Sequence, residues 1–230
     1  MVVMKNTYRF NKTKLLSVVK KSLEDPRMPH RLHLFLDVME VEYENDFPKF
    51  EAIKEPNSVN DTCCVYLNIK DSDFYLEMFV RARDYKVLFC HPLPKFEIEY
   101  VCYNDRLSLR QIIESVKIKP DEVNNLKIVK DKTTGKHKTL YAISFTTYKA
   151  PDEFEHKFNY LLNKLWSDQL GFKSLVEQSG HNTIYINTFF HVYNGELEIH
   201  HFSHRQLLIL NQLGLTVKFR HYPQGDNIFP

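Results

Sequence analysis

Twice along this chain a serine is followed three residues later by a glutamine and then by apolar residues at helical spacing. These are Ser108-Leu-Arg-Gln111 and Ser203-His-Arg-Gln206. In such a box the serine hydroxyl accepts a bond from an otherwise orphaned helical N–H, and the glutamine reaches back to the serine's own N–H, so the helix start is fixed locally. Ile112, Ile113 and Val116 form the stripe of the first helix, and the second carries Leu207, Leu208 and Leu210. Pro120 stands just beyond one end, and Gly214 where a left-handed C-terminal cap belongs. The flanking segments carry the other period. Residues 96–103 alternate, with Phe96, Ile98, Tyr100 and Cys102 on one face and Glu97, Glu99, Val101 and Tyr103 on the other. A chain that interleaves the two periods combines helices and sheet, and its hairpin signals make the sheet antiparallel.

Two hairpins are expected in this second section. One turns at DKTTGK between LKIVK and KTLYAISFTTY; the other joins 182–193 to 196–201 through Asn194-Gly195, which supplies the two positive φ values of a type I′ turn. That turn sets a register in which Phe190 faces Ile199, His191 faces Glu198 and Phe189 faces His200. Pro151-Asp-Glu opens a longer helix burying Phe154, Phe158, Leu161, Leu162 and Leu165, and LTVKFRHY closes the section as a strand.

The first section reads differently. Residues 11–24 place Leu15, Val18, Val19 and Leu23 on one helical face, with Pro26 as terminator. From 31 to 91 the pattern predicts strands: RLHLFLDVMEVEYE, TCCVYLNI, FYLEMFVRA and YKVLFCH, separated by turn-like EPNSVND, KDSD and RDY. The two prolines of HPLP at 91–94 mark the boundary. The expectation is an α+β protein: a helix plus antiparallel sheet over 1–94, then a ferredoxin-like antiparallel sheet over 95–230, with helices on one face and an added hairpin.

The second section resembles an uncharacterised bacterial domain family of unknown function, ferredoxin-like in build, over about 96–223. The resemblance is carried by the first strand and helix ending in Val116-Lys-Ile-Lys-Pro120, the long helix 152–168, and Ser203 to Gly214 followed by a strand ending Tyr222-Pro223. Some members of that family are encoded in toxin–immunity neighbourhoods. The resemblance therefore implies binding rather than catalysis, and it implies no site.

Composition excludes several classes. Six glycines in 230 residues leave little room for phosphate-cradling loops, and 31 basic against 29 acidic residues give no global field toward nucleic acid or an anionic membrane. No apolar run is long enough to span a bilayer, and MVVMKNTYRF lacks the apolar core of a signal peptide. Cysteines 63, 64, 90 and 102 show no C-x-x-C spacing, which suits reduced thiols and a cytoplasmic location. The Thr133-Thr-Gly-Lys-His137 segment lacks the remaining residues of a phosphate loop, and no nucleophile elbow or metalloprotease helix is present. No enzyme and no cofactor is expected.

The sharpest local feature is Glu40, Glu42, Glu44 and Asp46, which an extended strand would project from one face at intervals of about 6.5 to 7 Å. Residues 31–80 hold four basic and eleven acidic side chains, whereas residues 1–30 hold seven basic and two acidic. Lys12, Lys14, Lys20 and Lys21 of the first helix are the cheapest counter-charge, being intramolecular; a basic partner protein is the other, and i, i+2 carboxylates lack the convergent loop that cations prefer. Histidines 191, 200, 201, 204 and 221 cluster late, but strand alternation keeps three of them from converging on a metal. The helix-free sheet face should show Glu97, Glu99, Tyr185, Asn187, Phe189, His191, Glu198, His200, Lys218 and Arg220. Tyr185 and Phe189 there resemble a base-stacking platform, but Glu97 and Glu99 beside them disfavour phosphate and make nucleic acid an improbable partner.

The function expected is a non-enzymatic binder, most concretely an immunity protein that neutralises a basic toxin domain through Glu40, Glu42, Glu44 and Asp46 or through Tyr185, Phe189, His191 and Glu198. The alternative is a small-ligand or RNA-binding regulator using Tyr185 and Phe189.

Overall fold

The computed structural model describes residues 10–25, 32–56, 61–130, 135, 137–179, 181–192 and 201–226. It is α+β, and its chain divides into two compact units. Unit 1 is Met1–Lys95 with Phe189–Leu197 and Tyr222–Pro230; unit 2 is Phe96–Thr188 with Glu198–His221.

In unit 1, helix α1 (Lys12–Glu24) is capped by Asn11, whose Oδ1 accepts from the Lys14 amide at 3.0 Å. Leu15, Val19 and Leu23 are buried, as the sequence spacing predicts. Helix α2 (Leu32–Leu36) corrects the strand expected from residue 31. Leu-His-Leu-Phe-Leu alternates, but Leu32, Phe35 and Met39 are the residues the fold buries, and that spacing is helical. After it come β1 (Tyr43–Glu44) and β2 (Phe47–Pro48), joined by Asn45 and Asp46 at φ 51° and 62°. Strands β3 (Phe50–Lys54), β4 (Thr62–Asn68), β5 (Tyr75–Arg81) and β6 (Lys86–Leu93) form an antiparallel sheet in that order. Its inner face (Val65, Leu67, Leu76, Met78) packs with Leu15, Val19 and Phe35 in one core. Of the two HPLP prolines, Pro94 stands just beyond the last residue of β6, next to the Lys95–Phe96 division of the units, but Pro92 lies within β6, opposite Leu76. Because β6 is an edge strand, a residue without an N–H is tolerated there.

The remaining elements are β7 (Lys95–Asn104), α3 (Leu109–Glu114), β8 (Glu122–Lys130), β9 (His137–Thr146), α4 (Phe154–Trp166), α5 (Gln169–Gln178), β10 (His181–His191), α6 (His204–Leu213) and β11 (Thr216–Gln224). The sheet order is β11-β10-β7-β9-β8, which puts β7 at the centre. Both capping boxes are formed, and Gly214 adopts the left-handed cap at φ 63°. Phe158, Leu161, Leu162 and Leu165 of α4 join Ile98, Tyr100, Ile143, Phe145, Ile184 and Ile186 in a single core. Helix α5 is an addition to the expected order. It starts at Asp168, whose carboxylate accepts from the Gly171 amide at 3.3 Å and from Lys117 N at 2.5 Å. The hairpin turn at Asn194-Gly195, with Glu198 and His200, lies outside the described residues.

Candidate acidic binding surface

Backbone pairing creates the surface in unit 1. Val41 bridges Ile69 antiparallel, the Glu42 amide donates to Asn68 O at 2.8 Å, and the Lys70 amide donates to Glu40 O at 2.8 Å. Val41 is thereby buried while Glu40 and Glu42 turn to the other side, the alternation expected of an extended segment. The chain then turns at Asp71, a non-glycine residue at φ 56°, and Asp73 follows. Between the two segments lies an open concavity of about 620 Å³ whose polar lining includes Glu40, Glu42, Lys70, Asp71 and Asp73.

The counter-charges are not the α1 lysines. Lys70 Nζ lies 2.9 Å from Glu40 and Lys49 Nζ 2.8 Å from Glu42. These hydrogen bonds raise both lysine pKa values, that to Glu40 for Lys70 and that to Glu42 for Lys49 being the largest cause. The α1 lysines do something else: Lys12 lies over the Phe50 ring at 5.4 Å, Lys14 over Tyr85 at 4.6 Å and Lys20 over Phe47 at 4.7 Å. Each ammonium group therefore sits over an aromatic face, and that of Lys20 also lies 3.8 Å from Glu24. Glu44 is exposed at the end of β1, but the row stops there, because the left-handed turn takes Asp46 out of it. Asp73 pairs with Lys95 at 3.6 Å and accepts from Gln224 Nε2 at 3.3 Å.

The second expected surface is less bare than the sequence suggests. In unit 2, Arg220 lies 4.1 Å from the centre of the Tyr185 ring and Lys218 5.9 Å from it. In unit 1, Phe189 stacks on Tyr222 at 4.8 Å, with Lys95 at 5.6 Å. His191 was expected at the surface and is wholly buried, 0% exposed, edge-on to Phe74 at 5.3 Å. Burial lowers its pKa, against an opposing pull from Asp226. It is unavailable to a partner in this state, and Glu198, its expected neighbour, lies outside the described residues.

A family model, Domain of unknown function (DUF4279), matches residues 95–224, more than half of the chain. The chain belongs to this family. No curated protein and no solved structure matches it. The DUF4279 segment contains β7 through β11 with both capping boxes, whereas Glu40, Glu42, Asp71 and Asp73 all precede it.

Sequence reading missed two clusters. In unit 1, the buried Glu77 lies 3.2 Å from His91 Nε2, beside Phe79 and Phe89 stacked at 4.1 Å. Burial, then Glu77, pushes the Cys64 thiol up to about 12, and burial alone takes Cys90 to about 12. Such thiols stay protonated at neutral pH and are poor nucleophiles. In the DUF4279 segment, Tyr148 donates to Asp152 Oδ2 at 2.6 Å while His156 Nδ1 lies 3.1 Å from Oδ1. Asp152 and His156 are four apart on a helix start, the one signal that would have found this pair. Among the described residues no three His, Cys, Asp or Glu side chains are grouped to hold a metal ion, and no helix is long and apolar enough to cross a membrane.

Proposed function

We propose that this protein is a non-enzymatic binding module for a basic protein partner, most concretely a cytoplasmic bacterial immunity protein that occludes a toxin domain. The observation that carries the reading is the concavity of about 620 Å³, lined by four carboxylates and one lysine. Its internal ion pairs are solvent-exposed, and such pairs contribute only about 0 to 1 kcal/mol. A partner's arginines can therefore replace Lys49 and Lys70 at small cost, and the carboxylates left over accelerate encounter. The order β10-β7-β9-β8, with helices in the connections, supports reading the DUF4279 segment as ferredoxin-like.

The test is a pull-down from host lysate at low salt and at about 0.5 M salt, where exposed charges are screened within a few ångströms. A single basic protein retained at low salt, shed at high salt, and lost from Glu42→Lys and Asp71→Lys variants is the expected result. Retention unchanged by both variants, or nucleic acid alone, overturns it. The second reading, an RNA- or small-anion-binding regulator, is favoured by Lys218 and Arg220 over Tyr185. It predicts filter-retained RNA that is lost in Tyr185→Ala.

A further inference from the structure

On the outer face of the unit 1 sheet two cross-strand pairs of β5 and β6 lie side by side, Glu77 opposite His91 and Phe79 opposite Phe89. Leu76 and Met78 belong to the core on the inner face, so strand alternation turns Glu77 and Phe79 the other way. His91 Nε2 lies 3.2 Å from Glu77 Oε2, and the His91 ring is stacked on Phe79 at 5.5 Å and 25°. Phe79 is stacked in turn on Phe89 at 4.1 Å and 17°. The three rings are thus nearly parallel. Their end of the face is open to water, Phe89 being 44% exposed and the His91 side chain 43%.

A carboxylate as buried as Glu77 ordinarily has a permanent cation beside it. Among the described residues, His91 is the one basic side chain in ion-pair contact with it. Arg81, farther along β5, is bound to Asp84 at 2.6 Å. Lys54 stands opposite Cys64 on β3, two strand spacings or about 10 Å from β5. The Cys64 thiol keeps its proton and adds no charge.

His91 therefore makes to Glu77 and Phe79 the two contacts by which a guanidinium group is bound, a planar nitrogen donor against a carboxylate and a flat face against an aromatic ring. We propose that Glu77, Phe79 and Phe89 form a site for an arginine side chain of a partner polypeptide, and that His91 fills the seat until the arginine displaces it. An ion pair with one partner this exposed is weak, so His91 swings out to water at small cost. The guanidinium brings what the imidazole lacks: two parallel N–H donors for the two carboxylate oxygens, and a permanent charge. A lysine ammonium has no planar fork, and a quaternary ammonium has no N–H for the carboxylate. The seat is an open sheet face, which takes the end of a side chain and leaves the rest of the ligand in water. It shares no residue with the acidic concavity and stands apart from the reading proposed for that surface.

The test is a titration of the full chain with N-acetyl-arginine amide, read on the Phe79 and Phe89 rings in proton–carbon correlation spectra. A Kd of about 1 to 10 mM is expected for one charged contact and one ring contact. Glu77→Gln should weaken binding about tenfold or more, and Phe89→Ala, read on Phe79, about threefold. His91→Ala should tighten it about threefold, because the resident competitor is gone. That sign separates a displaced occupant from a residue that merely shapes the face, and His91 and Phe89 are exposed enough for both variants to remain informative should Glu77→Gln fail to fold by circular dichroism. N-acetyl-lysine amide should bind about tenfold more weakly than the arginine amide. Glu42→Lys, in the acidic concavity, should leave the ring shifts unchanged, so failure here and failure of the partner-binding reading are told apart. Ring signals unmoved at about 50 mM ligand, weaker binding in His91→Ala, equal affinity for the two amides, or free arginine bound about tenfold tighter than its blocked form overturns the proposal.

Discussion

The two units bury charge in different ways. In unit 2, Lys157 of α4 is 2% exposed, donates to Phe96 O at 3.0 Å and lies over the Tyr148 ring at 5.5 Å. In unit 1, Glu77 of β5 is 6% exposed, and its near neighbour is His91, a half-exposed side chain 3.2 Å away. A main-chain carbonyl is held by the strand it belongs to, so the lysine's anchor stays in place. The glutamate's anchor is a side chain that can turn to water. The comparison teaches that a charge tied to backbone serves as a fixed part of a core, whereas one tied to a half-exposed side chain has a partner that can leave it.

Breaking the fixed anchor should have the largest effect. Lys157→Ala removes both the packed stem and the donor to Phe96 O, and is expected to cost about 3 kcal/mol in urea unfolding. A loss under 1 kcal/mol would show that this lysine is not an anchor. Glu77→Ala is expected to cost less, about 1 to 2 kcal/mol, because His91 can turn to water. The milder Glu77→Gln should lower the pKa of the Cys64 thiol from about 12, since Glu77 adds to the effect of burial there. Thiol titration with an absorbance readout checks that direction. Ser203→Ala, which removes one side of a capping box, should cost about 1 kcal/mol.

The smallest effect is the most diagnostic of the comparison. His191 has a pKa depressed below 6.5 by burial, so the stability it confers is full above 6.5 and is lost as pH falls through its folded value. Asp121 is depressed below 3.8: burial pushes it up, but Lys164 Nζ at 2.7 Å and the Thr146 amide at 2.7 Å outweigh that. Its contribution is full above 3.8 and is lost only below that. Acidification should therefore loosen unit 1 first and unit 2 later, as seen by hydrogen exchange on His191 and Thr146. The reverse order would show that His191 and Asp121 do not set the response.

Local signals were legible and long-range ones were not. Both capping boxes, Gly214, the alternation of 96–103 and the apolar face of α4 are decided by residues within one or two turns of each other, and all are as the sequence predicts. Leu32–Leu36 was misread because five residues of Leu-His-Leu-Phe-Leu fit either period, and only the core decides between them. Pro92 continues a ladder that a proline is expected to end, because its edge position follows from strand order, whereas Pro94 does stand between two strands. Of the acidic surface, Glu40 and Glu42 were visible as an alternating pair. Asp71 and Asp73 were not, since they join only through the Val41–Ile69 bridge, and Lys70 is 30 residues from the Glu40 it neutralises.

Gln224 sets an order on synthesis. Its carbonyl accepts from Val192 at 3.0 Å and its side chain from the Asp73 amide at 2.8 Å, across 151 residues. As the chain emerges from the ribosome, the segment at Asp73 waits for Gln224, 151 residues later, to complete its hydrogen bonds. The Phe74 ring likewise waits for His191. Unit 1 therefore stays unfinished while residues 96–188 of unit 2 are made, and during that interval its open end is where a chaperone or a protease would find it.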